Sequence, residues 1–192
     1  MKQFKILLLA GAIVMPIVMP MGVAAMAADV DPDVPAAGDP AMIGLYLRAD
    51  AGWSFLDWAG GADDDNFVLG GGVGYRFSDN LRSDITMDWS GDYSVGVGQE
   101  ISTTALLGNV YYDFANDSMF TPYVGVGAGY GWVEGTGGIA DDSGFALGAA
   151  AGVSVDLTNN IAIDTGYRFR DIMISGSDTR EHQVTAGLRF SF

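Results

Sequence analysis

The chain has no cysteine among its 192 residues, which excludes a disulfide scaffold, a thiolate zinc site and a cysteine nucleophile. It is nearly without lysine. Lys2 and Lys5 are the only two, and seven arginines supply the rest of the positive charge. Against these stand 24 acidic side chains, for a formal charge of −15. Phosphate affinity is carried by clustered Lys and Arg, so nucleic acid is not expected as a partner. There is a single histidine, His182. The length suits one domain, alone or with a short tail, and excludes a multidomain enzyme. What is abundant is glycine, with 28 residues, and apolar side chains, at 49%. That is too apolar for a disordered acidic protein.

Lys2 and Lys5 precede an uncharged stretch from Ile6 to Ala28 that ends in Ala25-Met26-Ala27. A basic start, an apolar middle and a small-x-small end form the layout of a secretory signal peptide over residues 1–27. The stretch is long enough to span a bilayer as a helix. However, Pro16 and Pro20 interrupt it and no basic stop-transfer cluster follows. Cleavage after Ala27 leaves seven arginines against 24 acids, a net charge of −17. Residues 28–42 are rich in Asp, Pro and Ala without apolar periodicity, and read as an extended periplasmic leader.

From Leu45 onward, eight segments alternate apolar and polar residues with a period of two, separated by turn-forming clusters. They run over Leu45–Phe55, Phe67–Phe77, Leu81–Trp89, Thr104–Phe114, Phe120–Trp132, Phe145–Leu157, Ile161–Arg170 and Glu181–Phe192. The fourth is the least regular, because Leu107 falls on its polar side. The apolar face carries no charge, whereas the other face concentrates Arg, Asp and Gly. A soluble sandwich would turn a Lys- and Glu-rich face to water. An all-β, eight-stranded antiparallel transmembrane up-and-down β-barrel over residues 43–192 fits better, with lipid outside and polar groups within.

Aromatic residues gather at the ends of the runs. Phe77, Tyr112, Phe114, Phe120 and Phe190 mark one rim; Trp53, Phe55, Phe67, Trp89, Tyr130, Trp132 and Phe145 mark the other. Two girdles at the water interfaces account for both groups. Short turns at Ser78–Asn80, Ala115–Met119 and Thr158–Asn160 face the periplasm on this reading. Longer connections over 56–66, 90–103, 133–144 and 171–180 face outward.

Eight strands leave an interior only wide enough for side chains to fill. Six inward arginines (Arg48, Arg76, Arg82, Arg168, Arg170, Arg189) face seven acids (Asp50, Asp84, Asp88, Asp113, Asp156, Asp164, Glu181). In so narrow a space these charges must pair, and the planar guanidinium suits bidentate pairing better than an ammonium. The expected result is an ion-pair plug, with a narrow ion path as the functional alternative. The inward glycine stripe from Gly125 to Gly131 makes room for long side chains. Its strict spacing of two does not match a phosphate-binding loop.

The net charge is then assigned to the leader and the outer loops, where Asp57, Asp63, Asp64, Asp65, Asp92, Glu100, Glu134, Asp141, Asp142 and Asp178 fall. They read as a solvated surface. Carboxylates could hold Ca²⁺ or Mg²⁺ against lipopolysaccharide, but Asp63-Asp64-Asp65 lacks the spacing of a dedicated calcium loop. His182 lies near Ser175, Ser177 and Glu181 in sequence, but Glu181 points to the opposite face of a strand, which weakens a triad. No catalytic residue, metal site or cofactor is expected; haem capture at His182 is the alternative for a ligand.

The blocks GGGVGYRFSDNLRSDIT, NVYYDF, TPYVGVGAGYGW, IAIDTGYRFRDI and HQVTAGLRFSF resemble the small OmpA-like and opacity-protein-like outer-membrane barrels. The likeness is strongest to the alphaproteobacterial surface antigens of that type. It covers residues 43–192. The resemblance implies surface exposure, with roles ranging from envelope integrity to adhesion, immune interaction and haem binding. It also implies that Phe192, ending an alternating strand, is the signal read by the barrel-assembly machinery. Implied partners are outer-membrane lipid, lipopolysaccharide and a host or surface ligand.

Overall fold

A computed structural model describes residues 43–58, 63–174 and 177–192. The export segment and leader expected over residues 1–42 lie outside the described residues. The eight strands are β1 (Gly44–Trp58), β2 (Asp63–Arg76), β3 (Leu81–Gly96), β4 (Gln99–Asp113), β5 (Phe120–Gly135), β6 (Asp142–Asp156), β7 (Ile161–Ile174) and β8 (Ser177–Ser191). Each pairs antiparallel with its neighbour in sequence, and β8 pairs with β1, so the sheet closes without an edge. Backbone donors and acceptors are thereby satisfied within the ladder, as a bilayer requires.

The register defines the size of the barrel. A path of paired residues leaves β1 at Phe55 and passes through His182, Phe169, Ala149, Val126, Val110, Ser83 and Tyr75. It returns to β1 at Leu45, ten residues from its start. Eight strands with this stagger tilt by about 40°. Strands of 14 to 16 residues then rise about 35–40 Å. The apolar band of an outer-membrane barrel is only about 25 Å tall. The strands therefore run past it.

That overshoot corrects the expected loops. Where described, the stretches 56–66, 90–103 and 171–180 are largely strand, not loop, and so is half of 133–144. β3 and β4 are joined by Val97 and Gly98 alone, Gly98 taking the φ of 70° that lets so short a turn close. Of the acids assigned to loops, only Asp141 falls between strands; Asp57, Asp63, Asp64, Asp65, Asp92, Glu100, Glu134, Asp142 and Asp178 are strand residues. The physical reason is that a hydrogen-bonded ladder does not need apolar residues outside it once it leaves the lipid. Alternation continues there with its polarity inverted. Outward positions become Asp57, Asp65, Glu100 and Glu134, all exposed, while inward positions become Leu56, Ile101, Val133 and Ile172, all buried. A bulge between Ser90 and Tyr93 turns Tyr93 inward as well.

Candidate functional site

The lumen is filled in two layers of opposite character. The lower and middle layer is ionic. On β1, Arg48 grips Asp50 through Nε and Nη2 at 2.9 and 2.8 Å and reaches Asp84 of β3 with Nη1 at 2.9 Å. Asp84 also accepts from Tyr46 at 3.1 Å and from Asn109 at 2.8 Å. Arg82 has no exposed surface. Its Nε lies 3.0 Å from both oxygens of Asp113, and its Nη1 lies 3.6 Å from Asp164. Its guanidinium stacks over the rings of Tyr111 and Tyr123, at 4.3 and 4.9 Å.

Arg76 shares Asp113 at 3.0 Å, and Arg189 shares Asp164 at 3.2 Å. Ser154 donates to Asp164 and accepts from Arg189. Higher up, Arg168 pairs with Asp88 at 3.2 Å. Arg170 pairs with Glu181 at 2.5 Å, and Ser54, Ser90, Thr103 and Gln183 donate to the same carboxylate. The structure thus brings Arg48, Asp50, Arg76, Arg82, Asp84, Asp88, Asp164, Arg168, Arg170, Glu181 and Arg189 into one lumen, with Asp113. Asp156 is excluded: it lies exposed at the end of β6. The count becomes six arginines against six carboxylates, and the interior is formally neutral.

Above the Glu181 cluster the filling is apolar. Leu56, Tyr93, Ile101, Ala105, Leu107, Val133, Ala146 and Ile172 form one buried cluster inside the outer end of the barrel. Leu107, the residue that spoils the alternation of β4, belongs to it. The sequence does not reveal this cap directly, because Tyr93, Ile101, Val133 and Ile172 fall in stretches whose outward residues are no longer apolar. The signal was present as period-two alternation of inverted sign. The tyrosines of the ionic layer were also missed as members of the network, since Tyr46, Tyr111 and Tyr123 carry no charge to count.

On the outside, the two aromatic sets point away from the barrel. Trp53, Phe67, Trp89, Tyr130 and Trp132 are exposed towards the outer end; Phe77, Tyr112, Phe114, Phe120 and Phe190 are exposed at the other. Trp53 donates its indole N–H to Asp65 at 2.6 Å, apolar ring below and carboxylate above, as at a lipid–water boundary. The backbone N–H of Phe192 donates to Leu45 at 3.0 Å, and its ring packs edge-on against Phe190. His182 faces outward, sharing a 2.5 Å hydrogen bond with Tyr167 and packing on Phe169. Glu181 faces inward beneath it, so the two do not meet. Ser175 and the side chain of Ser177 lie outside the described residues. Among the described residues, no group of three or more His, Cys, Asp or Glu gathers as a metal site would require.

Over residues 17–192 the sequence matches the family described as outer membrane protein beta-barrel domain. The chain belongs to that family. This outer-membrane barrel is 29% identical to an uncharacterised protein of Brucella abortus, the match covering 76% of this chain and 75% of that one. It is 27% identical to a protein of Rickettsia prowazekii named as a candidate adhesin, over 76% of this chain and 86% of the relative. The crystal structure of Neisserial surface protein A superposes on it with a TM-score of 0.70 at 25% identity, covering 78% of this chain and 97% of that one. The barrel resides in the outer membrane, in a family of barrel and surface proteins that includes adhesin-like relatives.

Proposed function

We propose that the protein is a structural, surface-exposed component of the outer membrane whose lumen is closed. The observation that supports this reading is the filled interior: six arginines and six carboxylates pair below, and an apolar cluster lies above. Separating a buried ion pair leaves an uncompensated charge at a cost of about 3–5 kcal/mol. A solute would have to part several such pairs and then the cap. The outward apolar band between aromatic rims supports lipid and lipopolysaccharide as its surroundings. Phe192, pairing with β1 at the closing seam, is proposed as the end recognised during assembly, and residues 1–27 as the export signal.

Deleting the gene tests the role. The expected outcome is greater sensitivity to detergent, restored by the wild-type gene, with unchanged uptake of small polar solutes. Slowed solute uptake would instead favour a porin. The candidate-adhesin name of the Rickettsia relative supports a second reading, surface attachment. The contact would then be the acidic strand ends that rise past the lipid, including Asp57, Asp65, Glu100 and Glu134.

A further inference from the structure

β2, β4, β6 and β8 all run towards the rim opposite the apolar cap, and two of them end alike. On β8, the backbone N–H of Phe192 donates across the closing seam to Leu45 at 3.0 Å. On β4, the N–H of Phe114 donates to Pro122 of β5 at 2.8 Å. The residue before each ring is held in the same two-way grip. Ser191 donates its N–H to the Asn160 carbonyl at 2.7 Å, and the Asn160 side-chain amide donates back to the Ser191 carbonyl at 2.8 Å. Asp113 and Asn80 repeat the pair at 2.9 and 2.8 Å. The rings repeat as well: Phe190 and Phe192 pack edge-on at 5.0 Å, Tyr112 and Phe114 at 5.1 Å.

The likeness extends into the neighbouring elements. Asn80 and Asn160 sit in matching turns, where Phe77 and Ser78 donate to Leu81 as Leu157 and Thr158 donate to Ile161. The two seams share one register. Val110 and Tyr112 face Val126 and Val124, while Leu188 and Phe190 face Ala49 and Leu47. In this respect the barrel is two half-barrels, β1–β4 and β5–β8, each finished by the same strand end. The other strands reaching this rim lack the combination. β2 ends in Tyr75 and Phe77, but their rings pack tilted and the Phe77 N–H folds back onto its own turn. β6 ends in Val155 without a ring, and Leu157 follows it. An interfacial girdle accounts for the rings, but not for the grip and the register that β4 and β8 share.

We propose that residues 112–114, the end of β4, are an internal counterpart of the chain end and dock on the barrel-assembly machinery by the same contacts as residues 190–192. This rests on the reading of Phe192 as the end recognised during assembly, and adds a second address within the chain. The chemistry is strand addition, in which main-chain hydrogen bonds give affinity and pockets for alternate side chains give specificity. Until β5 arrives, β4 presents an open edge, as β8 does until β1 closes on it. Both edges offer the same backbone groups in the same register, and the same pair of outward rings. A receptor edge that fits one therefore fits the other. Docking at β4 keeps the open edge of the first half covered while the second half is delivered.

Full-length variants compared in cells and in detergent test this. Phe114→Ala should lower the folded fraction in the outer membrane, read as the gel band that shifts on boiling, by at least about fivefold, as truncating an aromatic anchor does. Phe77→Ala removes a ring from the same girdle and should assemble like the wild type, and Phe114→Tyr should restore assembly. In detergent, where no machinery acts, Phe114→Ala should refold with wild-type yield and melting midpoint. Wild-type assembly of Phe114→Ala in cells overturns the proposal, as does an equal loss in Phe77→Ala. If Phe114→Ala does not refold in detergent, crosslinking decides: photoreactive benzoylphenylalanine in place of Phe114 should trap the same machinery subunit as in place of Phe192, and a different subunit or none overturns the proposal. Loss in Phe192→Ala with none in Phe114→Ala sinks the internal site alone, whereas normal assembly of Phe192→Ala sinks the chain-end reading.

Discussion

Arg82 and Arg180 show how differently one residue type can act in this protein. Arg82 is fully buried between two carboxylates and two aromatic rings, whereas the side chain of Arg180 is half exposed and meets Asp171 at 3.8 Å. Removing the first leaves Asp113 and Asp164 under-compensated in a dry interior; removing the second exchanges a surface contact for water. Arg82→Ala should lower the unfolding free energy in detergent by about 3 kcal/mol. Arg180→Ala should change it by less than about 1 kcal/mol. Urea titrations of the two variants giving equal midpoints would contradict the assignment of Arg82 to the core network. At this scale the sequence was informative about charge. Every inward arginine could be named from alternation, because a charged residue opposite an apolar stripe has only the lumen to enter. Uncharged members such as Ser154, Asn109 and the three tyrosines could not be ranked, since their part depends on which strand lies across from them.

Strands β5 and β6 make a second test possible. Gly129 and Gly148 look alike in sequence, both inward glycines in glycine-rich strands. A methyl at Gly129 would run into the backbone of Leu106 and Leu107, which cannot turn aside as a flexible side chain can. At Gly148 it has ordinary room. Gly129→Ala should therefore destabilise the barrel by about 1–3 kcal/mol, as overpacking does, while Gly148→Ala folds with a midpoint near that of the wild type. A reversed order in thermal melts would contradict the packing described for the β4–β5 seam. Element boundaries were the least legible part of the fold. The inner turns at 78–80 and 158–160 could be read from Ser, Asp, Asn and Thr clusters. The outer ends could not, because outward apolarity is lost where the strands leave the lipid, well before they end. Leu56–Asp57, Ile101 after Glu100, and Val133–Glu134 continue the ladder in water, with the core on the inside.

For the whole molecule, eight strands with a ten-residue stagger enclose a volume that side chains can fill. Its lower part obeys the rules of a membrane protein and its upper part those of a soluble barrel. That division is why strand number and closure were readable from the count of alternating segments. The apolar cap was not, since it becomes visible only when the outer strand ends are assembled. The central claim is that this lumen is closed, by paired charges below and by Tyr93, Ile101, Leu107 and Ile172 above. Single-channel recording of the refolded wild-type barrel in a planar lipid bilayer tests it most directly. The account predicts no steady conductance above the bare bilayer, whereas stable, voltage-independent steps from the wild-type protein would contradict it.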